Sequence, residues 1–423
     1  MNFAVEEFLR SDDAGWVLQP ALASAGLPLD AWQLERVYTR PGAETSAKYL
    51  VEADGHTLRL IASTAQLSDT DRQALGAVRC ESSVGTLHLW AHPADPHLPG
   101  LRIAEDPAVL GERLAASGLL TRGSTAATPQ DLHARGWQVA STDLRVLSPL
   151  RRAVYRVDLV LEPSGAGQPA PREHLFLKVV RPAKVAELLD RYRASPLTPA
   201  FTDLGDGIIA LRAAEGAALA EHLYLPSRPP QAAPLDASLI PGATGGLSRR
   251  ALQLRPRTPV AQRLGTFIGP AAASGAPRER LMDLLASIRA HLRPEPGPVV
   301  PVHGDFHPAN LFLAADASEV TALIDADTVG PGYAADDAAV MMAHLCLLPS
   351  FDAAGYAPVP HFARTLWDLL VQEHEAEDLG ARSAGVVLSL LPGARTLAQQ
   401  EHYLRAAEAL AVQEMDCVFG PGE

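Results

Sequence analysis

Two short apolar runs, Val299–Val302 and Thr321–Ile324, each stop at a carboxylate: Asp305 stands just past the first and Asp325 directly after the second. Apolar strands that end in charged loops hold polar groups at the rim of a rigid scaffold, where sites are built. Asn310 follows Asp305 by five positions, across a turn containing Pro308, which cannot donate to a strand ladder. One carboxylate, one amide oxygen and a second carboxylate on the next hairpin suit a hard, oxygen-seeking cation such as Mg²⁺. Zinc would call for more His or Cys, and His303 and His307, four apart in a loop, are a poor set without a third ligand.

Phosphoryl transfer from ATP needs such parts: a carboxylate that takes the hydroxyl proton, and an Asn and an Asp that hold the metal. HGDFHPAN (303–310) and LIDADTVG (323–330) resemble the catalytic and metal-binding loops of the aminoglycoside phosphotransferase and choline kinase family. The resemblance implies an α+β, protein-kinase-like bilobal fold with a small antiparallel-sheet lobe and a large, mainly helical lobe. It makes Asp305 the base, Asn310 and Asp325 the metal ligands, and His303 a packed, hydrogen-bonded strut. It also places Asp336 at the start of the next helix, tying down the catalytic loop through backbone N–H groups; a one-residue slip would give that role to Asp337. Asp327 sits near a second metal or faces water.

Upstream, TDLRVLSPLRRAVYRVDLVLE, the Pro/Gly-rich stretch 163–171, HLFLKVVRP and the helix AKVAELLDRYRAS follow the order of a kinase small lobe. Lys178, on the third strand, is then expected at the α and β phosphates. SPLRRAV has no glycine where a GxGxxG would stand, so backbone N–H groups and the Ser148 hydroxyl are the candidates there, with Arg151 and Arg152 as electrostatic help. Glu187 is the candidate partner of Lys178, with Asp190 as its rival, and residues 209–215 are read as the hinge. Residues 226–249, rich in Pro, Gly and Ala, read as a surface excursion.

At 423 residues the chain has material for two or three units. The division read from sequence is an N-terminal α+β domain (1–125), a small lobe with hinge (126–215) and a helical large lobe (216–423). Three scattered cysteines, an acidic N-terminus and the lack of a long apolar run point to a cytoplasmic protein that neither spans nor enters membranes. Lys plus Arg is 36 and Asp plus Glu 49, and the net charge of −13 disfavours nucleic acid as a partner. It is compatible with a cationic acceptor, as are Glu373, Glu375, Glu377 and Asp378.

The first block runs parallel to the second: LERVYTRPGAETSAKYLVEADGHTLRLIAS aligns with the small-lobe strands and sets Arg59 opposite Lys178. A degenerate, noncatalytic copy of the small lobe is therefore expected there. The sequence reads as an ATP- and Mg²⁺-dependent kinase of a small-molecule alcohol, such as an aminoglycoside, choline-like or sugar acceptor. The alternatives are a catalytically silent kinase-like nucleotide-binding module and a metal-dependent phosphoesterase, for which a downstream GNH motif is lacking.

Overall fold

The computed structural model describes residues 2–39, 43–121, 137–161 and 172–419. The turn signal at Pro41-Gly42, the block boundary at 125/126 and the loop 163–171 lie outside the described residues. The chain forms two compact units, residues 1–186 with 200–213, and residues 187–199 with 214–423. This differs from the three-part division read from sequence: the first block and the small-lobe sheet fall in one unit.

That unit begins with α1 (Asn2–Arg10) and α2 (Gly15–Ala23), where the sequence suggested one helix and a turn. Then come β1 (Ala31–Tyr38), β2 (Ser46–Ala53), β3 (His56–Ser63), α3 (Asp69–Leu75), β4 (Val78–Ser82) and β5 (Gly85–Ala91). Asp54 and Gly55, both with positive φ, close the β2–β3 hairpin. Two helices follow, α4 (Gly100–Ala104) and α5 (Pro107–Ser117). The Asp106 carboxylate caps α5 by accepting from the Ala108 and Val109 N–H groups, with Pro107 in the first turn.

The second sheet comprises β6 (Trp137–Ser148), β7 (Arg152–Leu161), β8 (Arg172–Val180), then α6 (Pro182–Ala194), β9 (Phe201–Gly205) and β10 (Ile208–Arg212). Three strands, a helix and two strands, all antiparallel, is the kinase small-lobe order. The strand orders of the two sheets are β1-β2-β3-β5-β4 and β6-β7-β8-β10-β9, one permutation used twice. This agreement accords with a duplicated sheet. Arg59, however, pairs with Glu35 at 2.8 Å on its own sheet.

Alternation along β7 and β8 turns Ala153, Tyr155, Val157, Leu159, Leu175, Leu177 and Val179 into a core shared with Leu98, Leu101, Leu110 and Leu114 of the first block. Lys178 therefore points to the opposite face, across from Val154 and Ile209, and is only 7% exposed.

The second unit contains β11 (Ala217–Ala218), α7 (Leu219–Leu223), α8 (Leu239–Gly242), α9 (Leu264–Ala273) and α10 (Arg278–His291). β12 (Val300–Val302), β13 (Leu311–Leu313), β14 (Val320–Leu323) and β15 (Gly330–Gly332) follow. The chain ends with α11 (Ala334–Leu347), α12 (Val359–Leu370), α13 (Ala376–Leu390), α14 (Leu397–Ala411) and α15 (Met415–Phe419). Leu281, Leu284, Leu285 and Ile288 are buried along α10, as their helical spacing predicts.

Two expectations are corrected in this unit. Residues 226–249 are not wholly a surface excursion, because Ala237, Ile240 and Ala243 enter the core and Leu247 is buried. The apolar stripe of HFARTLWDLLVQEHEAEDLG reads as one helix, but the helix breaks after Leu370 and the end of the segment starts the buried α13. A Cβ on Gly380 would lie 2.4 Å from the Leu410 carbonyl oxygen, and one on Gly385 would lie 2.7 Å from a Leu264 methyl. These small residues let α13 approach α14 and α9 closely, and they gave no helical stripe to read.

Candidate active site

Two short antiparallel pairings gather the site in the second unit. β12 pairs with β15, so the chain after Val302 runs beside Gly330, and β13 pairs with β14, which sets Asn310 next to Ile324. The Ile324 N–H donates to the Asn310 carbonyl at 2.9 Å. The 303–310 loop and the 324–329 loop are thereby brought together, each at the end of a strand, as the two carboxylate-terminated runs imply.

Asp337, fully buried at the first turn of α11, holds the first loop. Its two carboxylate oxygens accept the N–H groups of His303 and Gly304, each at 2.7 Å. The backbone role expected of Asp336 therefore falls to Asp337. One residue is about 100° of helix rotation, enough to exchange the two. Burial pushes the Asp337 carboxyl up to about 7, against the downward pull of those two donors.

Asp336 instead meets Arg382 of α13 at 2.7 Å. The Arg382 Nε donates to Asp378 at 2.7 Å, and Nη2 donates to the Arg293 carbonyl at 2.5 Å. Arg382 and Asp378 side chains are each 3% exposed. Sequence reading missed this arginine. The i,i+4 spacing of Asp378 and Arg382 was a local signal, but nothing local links either to Asp336.

His303 has no exposed surface, and its Nε2 lies 3.1 Å from the Ile324 carbonyl, tying the two loops. Burial lowers its pKa, so it is a neutral strut. The Thr328 hydroxyl donates to the His303 carbonyl at 2.8 Å, a contact with no sequence signature.

Gly304 has φ +76, and a Cβ there would stand 3.0 Å from the Thr328 carbonyl oxygen. Gly304→Ala is expected to cost about 1–3 kcal/mol through left-handed strain and this close approach, read as a lower urea midpoint.

The Asn310 amide donates to the Asp305 carbonyl at 2.9 Å across the loop, which leaves its Oδ1 available as a ligand. Asp325 occupies a left-handed turn at φ +56, unusual for a non-glycine residue and of the kind found where a side chain is aimed by its surroundings. Among the described residues no three His, Cys, Asp or Glu side chains form a metal cluster. An amide oxygen and one carboxylate nevertheless fit Mg²⁺, which takes few protein ligands and completes its shell with phosphate and water oxygens.

No hydrogen bond or ion pair occupies the Asp305 carboxylate among the described residues, and Asp305 is partly exposed. Asp327 neither faces only water nor stands alone: the Tyr192 hydroxyl donates to it at 2.7 Å. His307 stacks on His344 with ring centroids 4.5 Å apart. Burial lowers both, His344 to about 3, so the pair is neutral.

Glu187 pairs with Arg191 one turn on at 2.8 Å, and the Arg191 guanidinium also donates to the Val329 carbonyl at 2.6 Å. Asp190 pairs with Arg193 at the surface. Of the acids proposed to suit a cationic acceptor, two are engaged: Glu375 pairs with Arg293, and Asp378 with Arg382.

In the other unit, Ser148 ends β6 and the turn after it is unusual. Leu150 is buried with φ +65; its N–H donates to the Asp95 carboxylate at 2.8 Å, and its carbonyl accepts from Arg181 Nε at 2.7 Å. The Arg151 N–H donates to the Ser148 carbonyl at 3.1 Å. Two N–H groups of the SPLRRAV stretch, those of Leu150 and Arg151, are thus already engaged, while the Arg151 and Arg152 side chains are exposed. Nearby, the Tyr38 hydroxyl donates to the Leu147 carbonyl and Tyr155 to Glu105. The first block therefore fixes the turn that a phosphate-covering loop would occupy.

A carboxylate loop clamped by a buried aspartate and an intraloop asparagine, beside a second carboxylate turn, is placed within a known class by comparison. Residues 159–357 match the model of the phosphotransferase enzyme family, a span that holds both loops. The chain carries a domain of that family.

Among solved structures, the chain is similar to aminoglycoside phosphotransferase APH(4)-Ia in ternary complex with AMP-PNP and hygromycin B (13% identity, 66% of this chain and 95% of that one, TM-score 0.40). It is also similar to choline kinase from Cryptosporidium parvum Iowa II (12%, 66% and 88%, TM-score 0.37) and to Plasmodium vivax ethanolamine kinase (9%, 70% and 89%, TM-score 0.36). Superpositions this loose say nothing about individual side chains. No curated protein matches the sequence. No helix among the described residues is long and apolar enough to cross a membrane.

Proposed function

We propose that the chain transfers the γ-phosphoryl group of ATP to a hydroxyl of a small molecule. The supporting observation is the 303–310 loop: Asp337 and Asn310 hold its backbone, while no hydrogen bond or ion pair among the described residues occupies the Asp305 carboxylate. Asp305 orients the acceptor hydroxyl and takes its proton as the O–P bond forms. Asn310 Oδ1 and the Asp325 carboxylate hold Mg²⁺, whose charge offsets that on the phosphates when bound. Lys178 serves the α and β phosphates, and the Ser148 hydroxyl and Glu187 are its proposed companions.

ATP with Mg²⁺ is expected to raise the melting temperature of the full chain, since ligand at a hundred times Kd adds about 2.7 kcal/mol. EDTA should abolish the rise, and ADP release should then appear with a hydroxylated acceptor. A second reading, nucleotide binding without turnover, is favoured by the engaged N–H groups of Leu150 and Arg151. It expects the same rise with no ADP release.

A further inference from the structure

A cleft of about 230 Å³ opens beside Asp305 within the second unit, between the segment 257–267, α11 and α13. Three arginines line it: Arg257, Arg263 and Arg382. Arg382 is compensated by Asp336 and Asp378. Arg257 donates to the Gly304 carbonyl at 2.6 Å and has no carboxylate partner among the described residues. Arg263 stacks on Phe267, 5.5 Å from the ring centroid, and its buried Nε has no hydrogen-bond partner. Burial and the charge of Arg257 both pull the Arg263 pKa down, as two neighbouring guanidiniums without an anion should.

The acids on this lining are Asp305 and Asp336. The first is assigned to the acceptor hydroxyl and the second is paired with Arg382. A cationic acceptor would find no free carboxylate for its charge, whereas an anion would satisfy the idle donors of Arg263 and relieve the repulsion.

We infer that the acceptor is a hydroxylated anion, bearing a carboxylate or phosphate that Arg263 and Arg257 bind while Asp305 receives its hydroxyl. This rests on the phosphotransferase reading above. The alcohol oxygen attacks the γ-phosphorus, the bond to the β-phosphate oxygen breaks, ADP leaves and the alcohol proton passes to Asp305.

The test measures ADP release by the full chain with Mg²⁺ and ATP over matched acceptors: glucose, glucosamine, glucuronate and glucose 6-phosphate, with choline, malate and glycerate added. Expected is a kcat/KM about tenfold or more higher for an anionic member than for its neutral or cationic counterpart. Glucuronate against glucose 6-phosphate then tells carboxylate from phosphate. Arg263→Ala should raise KM for that anion about tenfold with kcat little changed. Preference for glucosamine, glucose or choline, or a KM indifferent to Arg263→Ala, overturns the anionic acceptor and leaves the kinase reading standing. No ADP release with any of these acceptors, from a chain that still binds ATP, overturns both.

Discussion

Asp305→Asn should lower turnover by about 10² to 10⁴, roughly 3–5 kcal/mol of barrier, the usual contribution of a positioned general base. The melting temperature should stay within a degree or so of the parent. The second half of this expectation comes from the structure: the carboxylate has no hydrogen bond or ion pair among the described residues, and the loop is held through the backbone by Asp337 and Asn310. An amide of equal size leaves those contacts in place. Parental turnover in the variant would remove Asp305 from the reaction.

Arg382→Met should give the largest loss of stability, about 3–5 kcal/mol, because it leaves two carboxylates in the interior without their cation. Asp378 would keep the N–H of Arg293 at 2.6 Å, and Asp336 would lose its ion pair. Unpaired buried carboxylates take up protons more readily in the folded than in the unfolded chain. The deficit should therefore be full at about pH 8 and shrink toward about pH 5. Urea midpoints at the two pH values check the sign. A triple variant, Asp336→Asn, Asp378→Asn and Arg382→Met, should recover part of the loss, since no charge is then stranded. Turnover should fall in the single variant as well, because Asp336 adjoins the residue that grips His303 and Gly304.

The two loops of the candidate site were legible because their letters are local. A strand that ends at His303-Gly304-Asp305, an asparagine one turn later and an Ile-Asp at the end of the next hairpin lie within some twenty residues. Each carries its own spacing. The capping of α5 by Asp106 and the buried stripe of α10 were legible for the same reason.

What escaped depends on partners far apart in sequence. The choice between Asp336 and Asp337 is decided by which faces a loop more than thirty residues upstream. Arg382 reaches across forty-six positions to Asp336. Of the cleft arginines, Arg257 and Arg263 sit in a Pro-rich stretch without periodicity. Strand β4 is short and half exposed, and α13 is mostly Gly, Ala, Ser and Val and is buried on every side, so neither presented the contrast between faces on which pattern reading relies.

The shared interior of the first unit has a practical consequence for anyone trimming this protein to its second sheet and the residues that follow it. A chain beginning at residue 137 would lay Tyr155, Val157, Leu159 and Leu177 open to water. At about 1.5–3 kcal/mol for each large apolar side chain, that loss rivals the whole 5–15 kcal/mol margin of an ordinary fold. The shortened product should collect in inclusion bodies, while the intact polypeptide stays in the supernatant. The leading segment would then act as an obligatory chaperone in cis, lending its leucines to an interior that the second sheet does not close by itself.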